Sequence, residues 1–236
     1  MIYGGNVLFD LTADFLTAYG ELASELPNEA SIEPNIFVDE DGNRLANIEV
    51  VYAGNHAAGE KVMAPLLKLA KPRAVELGAM PYRDFQTGAD AMLGHGKYYY
   101  LKSGLLTELS ADLAEIIVDH MSRDNPVMSW FQHLGGMPAT VAPNAMAYSH
   151  RNSALNLGLM FFSEDPSVAD AQIAKVREFY QDAAPYMIGF YTNLNEESEK
   201  KTWGNYGENY PRLVAAKDQY APKNLFRLNA NVKPSA

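Results

Sequence analysis

No cysteine occurs among the 236 residues. That excludes disulfides, thiolate-held metals and a cysteine nucleophile. Basic side chains are also scarce: 19 Lys and Arg stand against 29 Asp and Glu, for a formal net charge of -10. Nucleic acid and anionic membranes require basic patches, so neither is expected as a partner. No run of about eighteen apolar residues could span a bilayer. No basic start followed by an apolar core marks a signal peptide, and no Asn-x-Ser/Thr acceptor is present. The expectation is a soluble, cytoplasmic protein.

The common signatures of catalysis are missing too. There is neither GxGxxG nor GxxxxGK[ST]; GHGK at 94–97 reads as a turn. The histidines, at 56, 95, 120, 133 and 150, show no HxH or HxxxH spacing, so no metal site is expected. His120 falls on an apolar helix face and reads as a core histidine with a hydrogen-bond partner. Ser198 and Lys201 form an SxxK match inside a charged run and read as coincidence.

What remains is globular. Hydrophobic residues make up 47% and charged residues 20%, enough apolar content to bury a core. Gly5 to Leu11 reads as a strand, and Thr12 caps a helix burying Phe15, Leu16, Tyr19 and Ala23. DEDGNR at 39–44 is a turn before a strand at Asn47 to Tyr52. Met63, Leu66, Leu67 and Ala70 form a helical stripe that Pro65 should kink. Arg73 to Ala79 is a further strand. Ser110 caps a helix with Leu113, Ile116, Ile117 and His120 on one face. Val127 to Leu134 and Leu155 to Phe162 read as strands. Asp165 and Pro166 start a helix burying Ile173, Val176, Phe179 and Tyr180. A last helix runs from about Tyr210 to Tyr220, ended by Pro222. Strands and helices do not alternate strictly. The fold class expected is therefore α+β: a large antiparallel sheet with helices packed mainly on one face.

The stretch from 191 to 213 is dense in Tyr, Asn and Trp. Composition alone leaves two readings open, a pocket wall or a polar-aromatic loop on a domain edge. The order of residues goes further. Tyr191 and Asn193, then Tyr206, Gly207, Asn209, Tyr210, Arg212 and Leu213, then Lys217, then Tyr220, Pro222, Asn224 and Phe226 resemble the C-terminal signature of berberine-bridge-enzyme-like FAD-linked oxidases. GGNVLFDL at 4–11, MPYRDFQ at 80–86, KYYYLKSGLL at 97–106 and LGGMPATVAPNAMAYSHRN at 134–152 resemble substrate-domain segments of the same family. Two positions depart from it: Ala221 stands where the family has Asp, and Leu194 where it has Tyr.

The resemblance implies a substrate-binding domain over 1–185 and a C-terminal segment over 186–236 that packs against it. In this family the flavin is held mainly by an N-terminal domain, which the resemblance does not cover. It implies oxidation of an alcohol or amine carbon by hydride transfer to FAD, with no activity without a flavin domain. By the same resemblance Tyr191 is the catalytic base, while Asn193 and Asn224 meet the cofactor. Tyr82, Gln86, Gln132 and His150 lie in segments that face substrate or pack behind it. Lys102 and Arg151 read as sheet-face or domain-contact charges, and Arg212 as a tie between the last helix and its neighbours. The partners implied are a small-molecule substrate and a flavin-domain chain or a second copy. The alternative is a flavin-free ligand-binding or scaffold protein derived from such a domain. A flavin-free enzyme has less support, since no nucleophile or acid-base pair stands out.

Overall fold

Strong alternation of apolar and polar residues builds the first strands, and capped apolar stripes build the first helices. The computed structural model describes residues 1–194, 202–228 and 230–235. The Ser198–Lys201 match therefore lies outside the described residues. Seven strands form one sheet: β1 (Ile2–Asp10), β2 (Ala30–Val38), β3 (Arg44–Tyr52), β4 (Ala74–Met80), β5 (Tyr98–Leu106), β6 (Met128–His133) and β7 (Leu155–Ser163). Their order is β4-β1-β3-β2-β6-β7-β5, and every pairing is antiparallel. The α+β architecture expected from the sequence is the one observed.

Helices α1 (Ala13–Ser24), α4 (Ala111–Met121) and α5 (Ala169–Ala183) cover one face of the sheet. The core forms there. Val7 and Phe9 of β1, Ile32 and Ile36 of β2, Ile48 of β3 and Phe131 of β6 point at the helices and are fully buried. Each such side chain contributes about 1.5–3 kcal/mol by leaving water. The helix starts follow their caps: Thr12 Oγ1 accepts from Phe15 N at 3.1 Å, and Ser110 Oγ accepts from Leu113 N at 3.3 Å. Tyr19 is buried with its hydroxyl donating to Ile32 O at 3.1 Å. His120 is the core histidine expected. Its Nε2 lies 2.9 Å from Asp182 Oδ2, and its ring stacks on Phe179 with centroids 4.1 Å apart. It thereby links α4 to α5.

Three features differ from the sequence reading. Helix α2 (His56–Met63) stops before Pro65, and a separate 3-10 turn covers Leu66–Lys68. The break rotates the stripe, so Met63 and Leu66 are buried while Leu67 is 37% exposed. Strand β2 was not expected, because Pro34 sits inside it. It pairs with β3 along its length but with β6 only through Asn35 and Ile36, next to the proline. Beyond that short ladder the carboxylate of Glu33 takes His133 N at 3.2 Å. Strand β5 also lacks a clean alternation, because Lys102 lies on the helix-covered side with its ammonium 5.7 Å from the Tyr100 ring centroid. Three shorter helices complete the described chain: α3 (Tyr82–Gln86), α6 (Thr202–Tyr206) and α7 (Tyr210–Tyr220). Among the described residues, no helix is long and apolar enough to cross a membrane.

Candidate functional site

Among the described residues, no layer of long helices covers the other face of the sheet. The register lines its side chains up in rows. Glu76 of β4 opposes Asn6 of β1, Asn6 opposes Glu49 of β3, and Glu49 opposes Glu33 of β2. Beyond β2 this row reaches Gln132 of β6, then Asn156 of β7, then Leu105 of β5. The next row runs Leu8, Asn47, Asn35, Trp130, Gly158, Ser103. Strands lie about 4.8 Å apart, so neighbours within a row can touch. Asn47 Nδ2 donates to Asn6 Oδ1 at 2.9 Å, and Asn156 Nδ2 donates to Gln132 Oε1 at 2.8 Å.

Asn6, Glu49 and Glu76 of the first row and Leu8, Asn47, Asn35 and Trp130 of the second floor a trough of about 1770 Å³. Its floor is polar, while its walls are largely apolar: Phe37, Met128 and Met160 rise from the sheet, and Phe85, Met92 and Leu93 come from α3 and the loop after it. Burial raises Glu33 above the usual carboxylate range, opposed by hydrogen bonds from His133 N and Ser31, with Glu49 adding to the rise. Burial raises Glu49 as well, opposed by Asn35. A group whose pKa is raised by folding favours the fold when protonated, and that advantage is lost as pH climbs through the raised value. Glu33→Gln removes the ionisation penalty. It is expected to stabilise the protein by up to about 1 kcal/mol near pH 8 and by nothing near pH ~2.5, where the carboxyl is protonated in both states. Urea unfolding at the two pH values checks this.

At the outer edge of β5 the sheet gains one more bridge. Leu105 N donates to Gly189 O at 2.9 Å, and Ile188 N donates to Leu105 O at 2.8 Å. The row of Gln132, Asn156 and Leu105 thus ends at Gly189, two residues before Tyr191. The ring of His150 packs on Gly189, and its Nε2 lies 2.8 Å from Gly204 O of α6. A carbonyl only accepts, so this nitrogen carries the proton. Tyr191 is 41% exposed, and Asn193 Nδ2 donates to its Oη at 3.1 Å. Tyr148 lies nearby under the Arg151 guanidinium, 5.0 Å from the ring centroid. Burial raises the Tyr148 phenol; Ser153 and Arg151 oppose the rise and Tyr191 adds to it.

The C-terminal segment is tied down by backbone carbonyls of the 143–147 loop. Asn209 Nδ2 donates to Pro143 O and Met146 O at 2.7 and 3.0 Å, and Arg212 Nη1 donates to Asn144 O at 2.6 Å. Where the family resemblance places Asp, Ala221 is buried, and backbone bonds close the turn: Ala221 N donates to Lys217 O and Asn224 N to Ala221 O, both at 2.8 Å. Leu194 closes the 3-10 turn Thr192–Leu194, its N donating to Tyr191 O at 3.1 Å.

Among the residues singled out in the sequence, Gln132, His150, Tyr191 and Asn193 therefore gather along the β6-β7-β5 side. Tyr82 and Gln86 do not join them. They sit on α3 beside β4, at the opposite edge of the sheet, and are exposed, while Asp84 and Phe85 of the same helix line the trough. Asn224 is partly buried beyond the end of α7, with φ of 52°. Sequence reasoning missed Asn6, Glu33, Asn35, Asn47, Glu49, Trp130 and Asn156. For Glu33, Asn35, Asn47 and Glu49 the signal was present: in SIEPNIF and ANIEV the polar residues alternate with apolar ones and so share a face.

The fold is one shared with solved oxidases, berberine bridge enzyme among them. Residues 190–233 match the family described as berberine and berberine like. The chain is 29% identical over 228 residues to an FAD-linked oxidoreductase of Dictyostelium discoideum, an alignment covering 93% of this chain and 48% of that protein. Its fold is similar to that of berberine bridge enzyme (TM-score 0.80, 14% identity, 100% of this chain and 56% of the other). It is equally similar to that of 6-hydroxy-D-nicotine oxidase from Arthrobacter nicotinovorans (TM-score 0.80, 20% identity, 99% and 55%). The resemblance read from the C-terminal motif is borne out: the chain is related to FAD-linked oxidoreductases of the berberine-bridge type. It spans about half the length of the curated relatives it matches.

Proposed function

We propose that this chain forms the substrate-facing portion of an FAD-dependent oxidoreductase that oxidises an alcohol or amine carbon. One observation carries the reading: the polar row on the open sheet face leads through Asn156 and Leu105 to the edge where Tyr191 and Asn193 stand exposed. An exposed carboxamide and phenol at that edge fit the rim of a flavin ring, which presents donors and acceptors in its plane. When bound, FAD supplies the acceptor for the hydride. The chain supplies the rest. Tyr191, in its phenolate form, takes the proton from the substrate heteroatom and becomes the phenol, while Asn193 holds its oxygen in place. Gln132, held by Asn156 on the same sheet face, orients the heteroatom. His150, with Nε2 committed to Gly204 O, keeps α6 against the sheet edge. Asn224 meets the cofactor from the C-terminal segment. Phe226 and Leu228, 74% and 83% exposed, offer apolar surface to a flavin-domain chain.

Mixing tests this. The purified chain is combined with FAD, alone and together with the half of the Dictyostelium relative that it does not cover. Flavin absorbance is expected to co-elute only in the three-component mixture, and to bleach without oxygen when an amine or alcohol substrate is added. Colourless protein in every mixture would favour the flavin-free ligand-binding reading instead.

A further inference from the structure

One row of the open sheet face holds three carboxylates, Glu76, Glu49 and Glu33, separated only by Asn6; Glu76 and Glu49 line the trough, and Glu33 stands behind Glu49. Among the described residues none of them pairs with a cation; the ion pairs lie elsewhere. The two arginines at the trough rim are engaged, Arg44 with Ser122 and Arg123 with Asp119 and Glu178. Like charges directly opposite each other across strands are destabilising, and partial burial adds to the cost. Glu49 and Glu33 stand in that relation.

Beside them, in the next row, the six-membered ring of Trp130 lies over Gly158, where an added Cβ would come within 2.2 Å of the indole. Trp130 also lines the trough. Tryptophan is the aromatic side chain that attracts a cation most strongly. The neighbouring carboxamides spend donors on each other and on the carboxylates, Asn47 on Asn6 and Asn35 on Glu49. The floor is therefore richer in open acceptors than in donors. Among the described residues no three His, Cys, Asp or Glu side chains gather as metal ligands. The walls of Met and Phe suit an apolar body.

We infer that the trough selects an organic ammonium carrying an apolar or aromatic body, its charge held between Trp130 and Glu49. This rests on the reading of the trough as a substrate site, and it narrows the substrate to the amine branch. A neutral polyol, the other occupant such a polar floor suggests, lacks the charge that would relieve the carboxylates.

Binding can be read without flavin. In a Trp203→Phe background Trp130 is the sole tryptophan, and its fluorescence is titrated with phenyltrimethylammonium, with its neutral isostere tert-butylbenzene, and with cellobiose. The ammonium is expected to bind about tenfold or more tighter than the isostere, and cellobiose more weakly still. Glu49→Gln should weaken the ammonium about tenfold and leave tert-butylbenzene unchanged, with the circular dichroism melt showing that the variant folds. Tighter binding of cellobiose, no binding of the ammonium, or an unchanged affinity in a folded Glu49→Gln variant would overturn the inference. Cation binding without flavin-dependent turnover would sink the proposed oxidoreductase function alone. Turnover of a neutral alcohol without cation selectivity would sink this inference alone.

Discussion

Tyr191→Phe is expected to lower kcat of the flavin-loaded complex by about 10²–10⁴-fold, the usual contribution of a positioned acid or base. The substitution removes one oxygen and keeps the ring, so packing at the β5 edge is preserved. It takes from Asn193 the partner that its carboxamide meets at 3.1 Å. If Tyr191 only orients substrate, KM should rise with kcat little changed; if it takes the proton in the transition state, kcat should fall and KM stay nearly constant. The pH profile separates these outcomes further, because loss of a base removes the corresponding limb of the rate curve. Asn193→Ala, which leaves the phenol but frees it to rotate, is expected to cost about tenfold, a partial loss of orientation. A kcat for Tyr191→Phe within twofold of the parent would remove Tyr191 from the chemistry and return it to the polar-aromatic packing that composition alone allowed.

Local chemistry made much of the fold legible. Thr12 and Ser110 cap the helices they were expected to cap, α7 covers Tyr210–Tyr220, and His120 is buried with an acidic partner. These are short-range facts: a side-chain oxygen reaching an amide three residues on, or an apolar face with a 3.6-residue period. Strand β2 was hidden by Pro34, which argues against a central strand unless one ladder stops beside it, as the ladder to β6 does. The polar floor was hidden for a different reason. Alternation shows that Asn47 and Glu49 share a face, and so do Glu33 and Asn35. Only the antiparallel registers bring those pairs opposite each other and set Asn35 beside Trp130. Tyr191 was singled out by its motif and not by physics, since nothing in its local sequence says that Gly189 would bridge Leu105 and deliver it to the end of the polar row. The same motif reading named Tyr82 and Gln86, whose helix the topology carries to the far edge.

The second large effect falls on β1, where the sheet edge and the trough wall depend on one missing side chain. Gly5 has φ of 134°, and a Cβ there would come within 1.8 Å of Glu76 O. It opposes Val50 on one side and Leu77 on the other, so neither neighbour can move freely. Gly5→Ala must either strain the backbone or part β4 from β1, and it is expected to cost about 3 kcal/mol or more. Gly78→Ala provides the control, because a Cβ at that position meets nothing within 4 Å; it should cost less than about 0.5 kcal/mol. Urea unfolding gives both values, and hydrogen exchange at β4 amides shows whether the damage is local. Strand β4 leads directly into α3, which carries Phe85 to the trough, and itself presents Glu76 to the acidic row. Losing its register should therefore weaken ammonium binding even where the rest of the sheet survives. Equal stability of the two variants would show that β1 and β4 separate at little cost, and that the trough has no fixed wall on that side.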